Sequence, residues 1–139
     1  MLRTKTVTVV AFDADLHALL QSMREIMRIN GGVGLAANQI GIPWSVAVAL
    51  LPNGLIELVN PRITSENGRQ VIRTEGCLSF PELAKHPPII LRPMRITCTY
   101  FDRAGNQCKT GILSGKWAQL ISHEIDHLEG KTLLSRTVG

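Results

Sequence analysis

No stretch of this chain is apolar for long enough to cross a bilayer. The longest runs, such as VAVALL, fall far short of the ~20 residues a spanning helix needs. Arg3 and Lys5 are followed by no apolar core of the signal-peptide kind, so a cytoplasmic protein with no membrane partner is expected. There is no arginine-rich run and no basic patch interleaved with aromatics. A net charge of +4 and a pI near 9.3 would suit loose contact with an anionic partner, but specific nucleic-acid binding is not expected. Cysteine is scarce and odd in number: Cys77, Cys98 and Cys108 leave one thiol over under any pairing, which argues against a disulfide framework and for a metal-binding or buried role. Internal repeats, low-complexity tracts and linkers are also lacking. With 139 residues, 45% hydrophobic and 19% charged, the chain reads as one globular domain over residues 1–139.

What is present orders itself as helix, strands, helix. From Asp13 to Asn30, Leu16, Leu19, Leu20, Met23, Ile26 and Met27 recur on one helical face, with Asp13 or Asp15 to cap the start and Gly31-Gly32 to stop it. Then come GGVGLAANQIG, read as a loop, and short strands WSVAVAL, LIELVN and QVIRT, punctuated at Pro52-Asn53-Gly54 and Asn67-Gly68. RITCTYF and NQCKTGI flank Asp102–Gly105 as a hairpin. A second helix is expected from about Ser114 to Gly130, with Trp117, Leu120, Ile121 and Leu128 to bury it. This order argues for an α+β fold.

Chemistry concentrates in SHEIDHLEG. Residues four apart on a helix stand one turn above each other, so His123 and His127 can aim both imidazoles at one metal ion. Glu124 lies about 100 degrees round the helix from His123, placed to move protons on a water at the site rather than to share the ligand position. Two unrelated surface histidines would give the same short pattern. A catalytic site of this kind wants a third protein ligand, and the candidates are Cys77, Cys98, Cys108, His17 and His86. Cys98 and Cys108 fall in the hairpin strands and read as structural cysteines. Cys77, in TEGCLSFP, is set between Gly76 and Pro81 at a strand edge, although taken alone it too would be read as structural. In GGVGLAANQIG, Gly32 and Gly34 let the chain run close to a substrate and Gln39 offers an amide donor. The stretch follows a helix rather than preceding one and lacks Lys-Ser or Lys-Thr, which speaks against nucleotide phosphates.

These three stretches together resemble the peptide deformylases, which remove the formyl group from the N-terminal methionine of new bacterial proteins. The family's G-x-G-x-A-A-x-Q matches Gly32 to Gln39, its E-G-C-x-S matches Glu75 to Ser79, and its H-E-x-D-H matches His123 to His127, in the family's order. LVNPRI and FDRAGN extend the likeness, which runs from about Leu16 onward. The resemblance implies antiparallel sheets packed around a central helix carrying HEIDH, with an N-terminal helix. It implies one divalent ion held by Cys77, His123 and His127, Fe(II) in the first place, with zinc, nickel or cobalt able to replace it. It implies Glu124 as general base and acid, with Gln39 and the Leu78 N–H as donors to the oxyanion. Val33, Gly34, Leu78, Gln119, Leu120 and His123 are implied around the methionine side chain. Glu75 and Asp126 are implied as residues that orient the ligands, or equally as a salt bridge fixing the fold.

Three departures qualify the substrate and partners. The arginine that the family carries three residues after the proline of its second motif is Ala84 here, with Lys85 and His86 beside it, so peptide affinity is expected to be lower. Lys116, Gln119 and Ser122 are expected to make the pocket rim more polar than the family's. The chain ends nine residues after Gly130, where family members continue into a ribosome-docking extension, so ribosome contact is expected to be weak. Compact forms of this kind resemble deformylases encoded by bacterial viruses, which would place the protein in the cytoplasm of an infected bacterial cell. The expected function is hydrolysis of N-formylmethionyl peptides. A metalloamidase with shifted acyl preference and a silent metal-stabilised peptide-binding module are the alternatives, the latter having no need for Glu124 and Gln39 together.

Overall fold

The computed structural model describes residues 5–72 and 90–131. Helix α1 spans Ala14–Ile29, and of the two candidate caps it is Asp13 that accepts from the Leu16 N–H. Its apolar stripe is sealed: Leu16, Leu20 and Met23 are fully buried and Met27 nearly so, each burial worth roughly 1.5–3 kcal/mol. Strand β1 (Gly34–Ala36) and a 3₁₀ turn (Ala37–Ile40) follow, then β2 (Val46–Leu51), β3 (Gly54–Ile72), β4 (Ile90–Phe101), β5 (Gln107–Lys109), β6 (Leu113–Ser114) and helix α2 (Lys116–Leu128).

The strands form one antiparallel sheet in the order β1-β2-β3-β4-β5, with β6 also paired to β4. Strand β2 shows why VAVALL is apolar without alternation. Val46 and Val48 face the cluster around α1, while Ala47 and Ala49 face the cluster around α2. The sheet is therefore covered on both faces, with α1 on one side and α2 on the other. On the α2 side the sheet offers Ala36, Ala47 and Ala49, all fully buried against Ala118, Ile121, Ile125 and Leu128. These small side chains let α2 lie close to the strands.

The α+β class stands, with differences in detail. The glycine-rich stretch is not simply a loop, because Gly34–Ala36 pairs with Ala47–Ala49. Asn67-Gly68 does not break the chain either. It lies within the 19-residue β3, with Gly68 at φ +70 directly beside Met94, where the pairing of Asn67 with Arg95 and Arg69 with Pro93 continues on both sides. A turn dipeptide inside a strand is tolerated when the partner strand supplies the ladder, and β3 is further bent by register shifts at 59–62 and 63–65. The expected hairpin is present, closed by Asp102, whose Oδ1 accepts from the Ala104 and Asn106 N–H groups. Helix α2 starts two residues later than expected because Ser114 is used in β6.

Candidate functional site

Helix α2 crosses the sheet next to β1, β2 and β4 and turns its His123 and His127 side chains towards each other. Their Nε2 atoms stand 3.1 Å apart with the rings edge to face. Two nitrogens bound at ~2.05 Å to a tetrahedral ion would be separated by about 3.3 Å, so the pair fits a shared metal. The ligand atoms of His123, Glu124 and His127 all lie within 4.8 Å of one another, and it is the one such group of three among the described residues. His127 and Glu124 are buried and His123 is half-buried, which leaves approach from the His123 side.

The segment facing this group is β1. Gly34 has no side chain for a clear reason: a Cβ there would stand 2.4 Å from Glu124 Oε2 and 2.9 Å from Leu120 Cδ1. Strand β1 lies at the end of the sheet path, and Leu50 N–H donates to Val33 C=O. Val33 thus belongs to a hydrogen-bonded pair with β2, which makes Gly34 and Ala49 a non-bonded pair and turns the Gly34 N–H and C=O away from β2, to the edge that no strand among the described residues pairs with. Gln39 follows in the 3₁₀ turn after β1. Its Oε1 accepts from the Ala36 N–H at 2.9 Å, and because an N–H needs an acceptor, the amide NH₂ must point the other way as a donor.

Beneath the histidines lies a residue that the motifs did not reveal. Arg92, on β4, is 1% exposed, with Nη1 2.6 Å from Asp126 Oδ2 and 3.1 Å from Ser122 Oγ, and Nη2 3.3 Å from His123 Nδ1. Asp126 therefore pairs with an arginine 34 residues away, and Ser122 is fully buried against it rather than on a pocket rim as expected. The sequence signal was weak, since β4 holds two arginines, Arg92 and Arg95, and a strand arginine reads by default as a solvated side chain. Asn38, 2% exposed, was also passed over; its amide donates to the His127 carbonyl.

The other candidate ligands are placed elsewhere. His17 bonds the Arg103 carbonyl from α1, and Cys98 is fully buried in the core, where desolvation pushes its thiol up to about 11 and keeps it protonated at neutral pH. Cys108 sits in the β5 hairpin strand. Glu75, Cys77, Leu78, Ala84, Lys85 and His86 lie outside the described residues. Of the expected pocket residues, Leu120 reaches Gly34, Val33 is about half exposed and Gln119 shares the helix face one turn from His123.

Residues 1–139 match the family model described as polypeptide deformylase. A peptide deformylase of Caldanaerobacter subterraneus subsp. tengcongensis is 39% identical over 138 residues, covering 99% of this chain and 84% of that relative. Among solved structures, the peptide deformylase of Thermotoga maritima superposes with a TM-score of 0.90 at 35% identity, over 99% of this chain and 91% of that one. That of Thermus thermophilus gives 0.88 at 37% identity, over 99% and 80%.

Proposed function

The chain belongs to the polypeptide deformylase family of metal-dependent hydrolases, and from that premise we propose how its own residues remove an N-formyl group from the methionine of nascent peptides. The observation that carries the reading is the convergence of His123 Nε2 and His127 Nε2 at 3.1 Å beside a buried carboxylate that the backbone of Gly34 is shaped to admit.

His123, His127 and Cys77 are proposed to hold one divalent ion, Fe(II) in the first place. When bound, such an ion polarises the formyl carbonyl and acidifies water at the site. The remaining work falls to the chain. Glu124, buried beside the histidines, takes the proton from the attacking water and hands it to the leaving amine. The Gln39 NH₂, aimed by the Ala36 N–H, and the Leu78 N–H donate to the oxygen that becomes negative as water adds. Gly34, with its backbone groups turned away from β2, pairs with the peptide main chain, which reads no sequence and so accepts many substrates. Val33, Gly34, Leu78, Gln119 and Leu120 surround the methionine side chain. Asp126 and Glu75 orient the site, Asp126 through Arg92. Together the residues act as one catalytic domain over 1–139, working in the cytoplasm where nascent chains appear.

The test is formate release from a formyl-methionyl tripeptide set against acetate release from its acetyl counterpart. The reading expects the formyl peptide to be cleaved about a hundredfold faster or more, because a pocket by Gly34, Gln39 and Leu78 that fits the formyl hydrogen would collide with an acetyl methyl. Equal rates would replace it with a broader amidase.

A further inference from the structure

His127 stands in the last turn of α2, one residue before the helix ends at Leu128. Carbonyls of a last turn have no intrahelical partner, and such turns fray. A metal ligand placed there needs something outside the helix to hold its backbone. Beyond the local cap, in which the Lys131 N–H donates to the Asp126 carbonyl at 2.7 Å, two holds come from distant parts of the chain. Thr6 binds the Leu128 carbonyl with both its N–H at 2.9 Å and its hydroxyl at 2.8 Å. Asn38 donates its side-chain NH₂ to the carbonyl of His127 itself, alongside the Gly130 N–H at 3.0 Å.

Asn38 is the more telling of the two. It is buried, and its Oδ1 meets no donor among the described residues, so the burial of this amide makes sense only through its NH₂. It also belongs to the same four-residue turn as Gln39. One side chain of that turn grips the backbone of His127 and its neighbour grips the Ala36 N–H, so the oxyanion donor and the ligand share a single short support.

We propose that Asn38 is a positioning residue: its amide clamps the last turn of α2 and thereby sets where His127 Nε2 stands relative to His123 and Gln39. The consequence for metal rests on the reading of His127 as a ligand; the clamp itself does not. The test uses Asn38→Leu, close in shape but without the donor, with Asn38→Asp carrying the same test should the leucine variant not fold. Amide hydrogen exchange of the metal-free protein should quicken about tenfold or more at residues 127–131 and stay unchanged in α1. Release of Co(II) to a chelator should then speed up by about 10- to 100-fold, the range for residues that support a ligand, and the visible spectrum of the Co(II) form should shift. The kcat for formate should fall with KM within about threefold. As a control, Met23→Ala weakens the core on the opposite face of the sheet and should leave exchange at the end of α2 and the Co(II) spectrum as they are. Unchanged exchange at 127–131 overturns the clamp. Faster exchange with unchanged Co(II) release and spectrum overturns the positioning of His127. A parent protein that binds no metal would defeat the functional reading instead, while the exchange data would still decide the clamp.

Discussion

Replacing Gly34 with alanine should damage catalysis far more than stability. The added Cβ would stand 2.4 Å from Glu124 Oε2 and 3.0 Å from Glu124 Cδ, whereas ordinary contact begins near 3.4 Å, so the carboxylate must move by about 1 Å. The atoms that must yield are the far end of Glu124 and the Cδ1 of Leu120, both able to turn away, and overpacking relieved in this way costs about 1–3 kcal/mol. On the proposed mechanism the atom displaced is the one that handles the proton, and a misplacement of about 1 Å at a reacting group costs on the order of 10²-fold. Steady-state formate release by Gly34→Ala should therefore show kcat lowered by roughly a hundredfold. Elemental analysis should still find the parent's metal content, and denaturant unfolding should show only the small loss. A kcat within about threefold of the parent, with the metal bound, would refute both the packing argument and the role given to Glu124.

Glu124→Gln keeps the shape of the side chain and should lower kcat by about 10²- to 10⁴-fold with metal content retained; a loss under tenfold would remove Glu124 as the base. Arg92→Ala strips a buried carboxylate of its 2.6 Å partner and should cost about 3–5 kcal/mol in urea unfolding, with Arg92→Met/Asp126→Leu recovering part of it; a loss below about 1 kcal/mol would mean that Asp126 does not depend on Arg92. Burial alone would push Glu57 up, but the hydrogen bonds and charges of Arg103 and Arg24 hold it below the usual carboxylate range. A folded value below the unfolded one means that the stability it contributes is present above the unfolded carboxylate pKa and is lost as pH falls through the lowered folded value. Glu57→Gln should thus be less stable than the parent at pH 7 and converge with it in acid; a gap independent of pH would contradict this.

The parts of the fold that could be read in advance are those set by local pattern. The stripe of α1 and an aspartate cap for it, the hairpin around Asp102 and the body of α2 each follow from residues within a turn or two of one another. The short β1 and the run of β3 through Asn67-Gly68 did not, since both exist because a partner strand supplies hydrogen bonds that no local signal encodes. The site divides in the same way. His123, Glu124 and His127 are an i, i+1, i+4 pattern and are met together as spaced. Arg92 and Asn38 act on α2 from 34 and 89 residues away, and only the fold makes an arginine in a strand or an asparagine in a glycine-rich stretch part of the centre.

The central claim is that His123 and His127 hold the ion on which formate release depends. It is tested most directly by titrating metal-stripped protein with Fe(II) under anaerobic conditions while following formate release from a formyl-methionyl tripeptide. Activity should be absent without metal, rise in proportion to added Fe(II) and level off at one equivalent, and His127→Ala should stay inactive through the same titration. Full activity in the stripped protein, or the same titration curve in His127→Ala, would contradict the account.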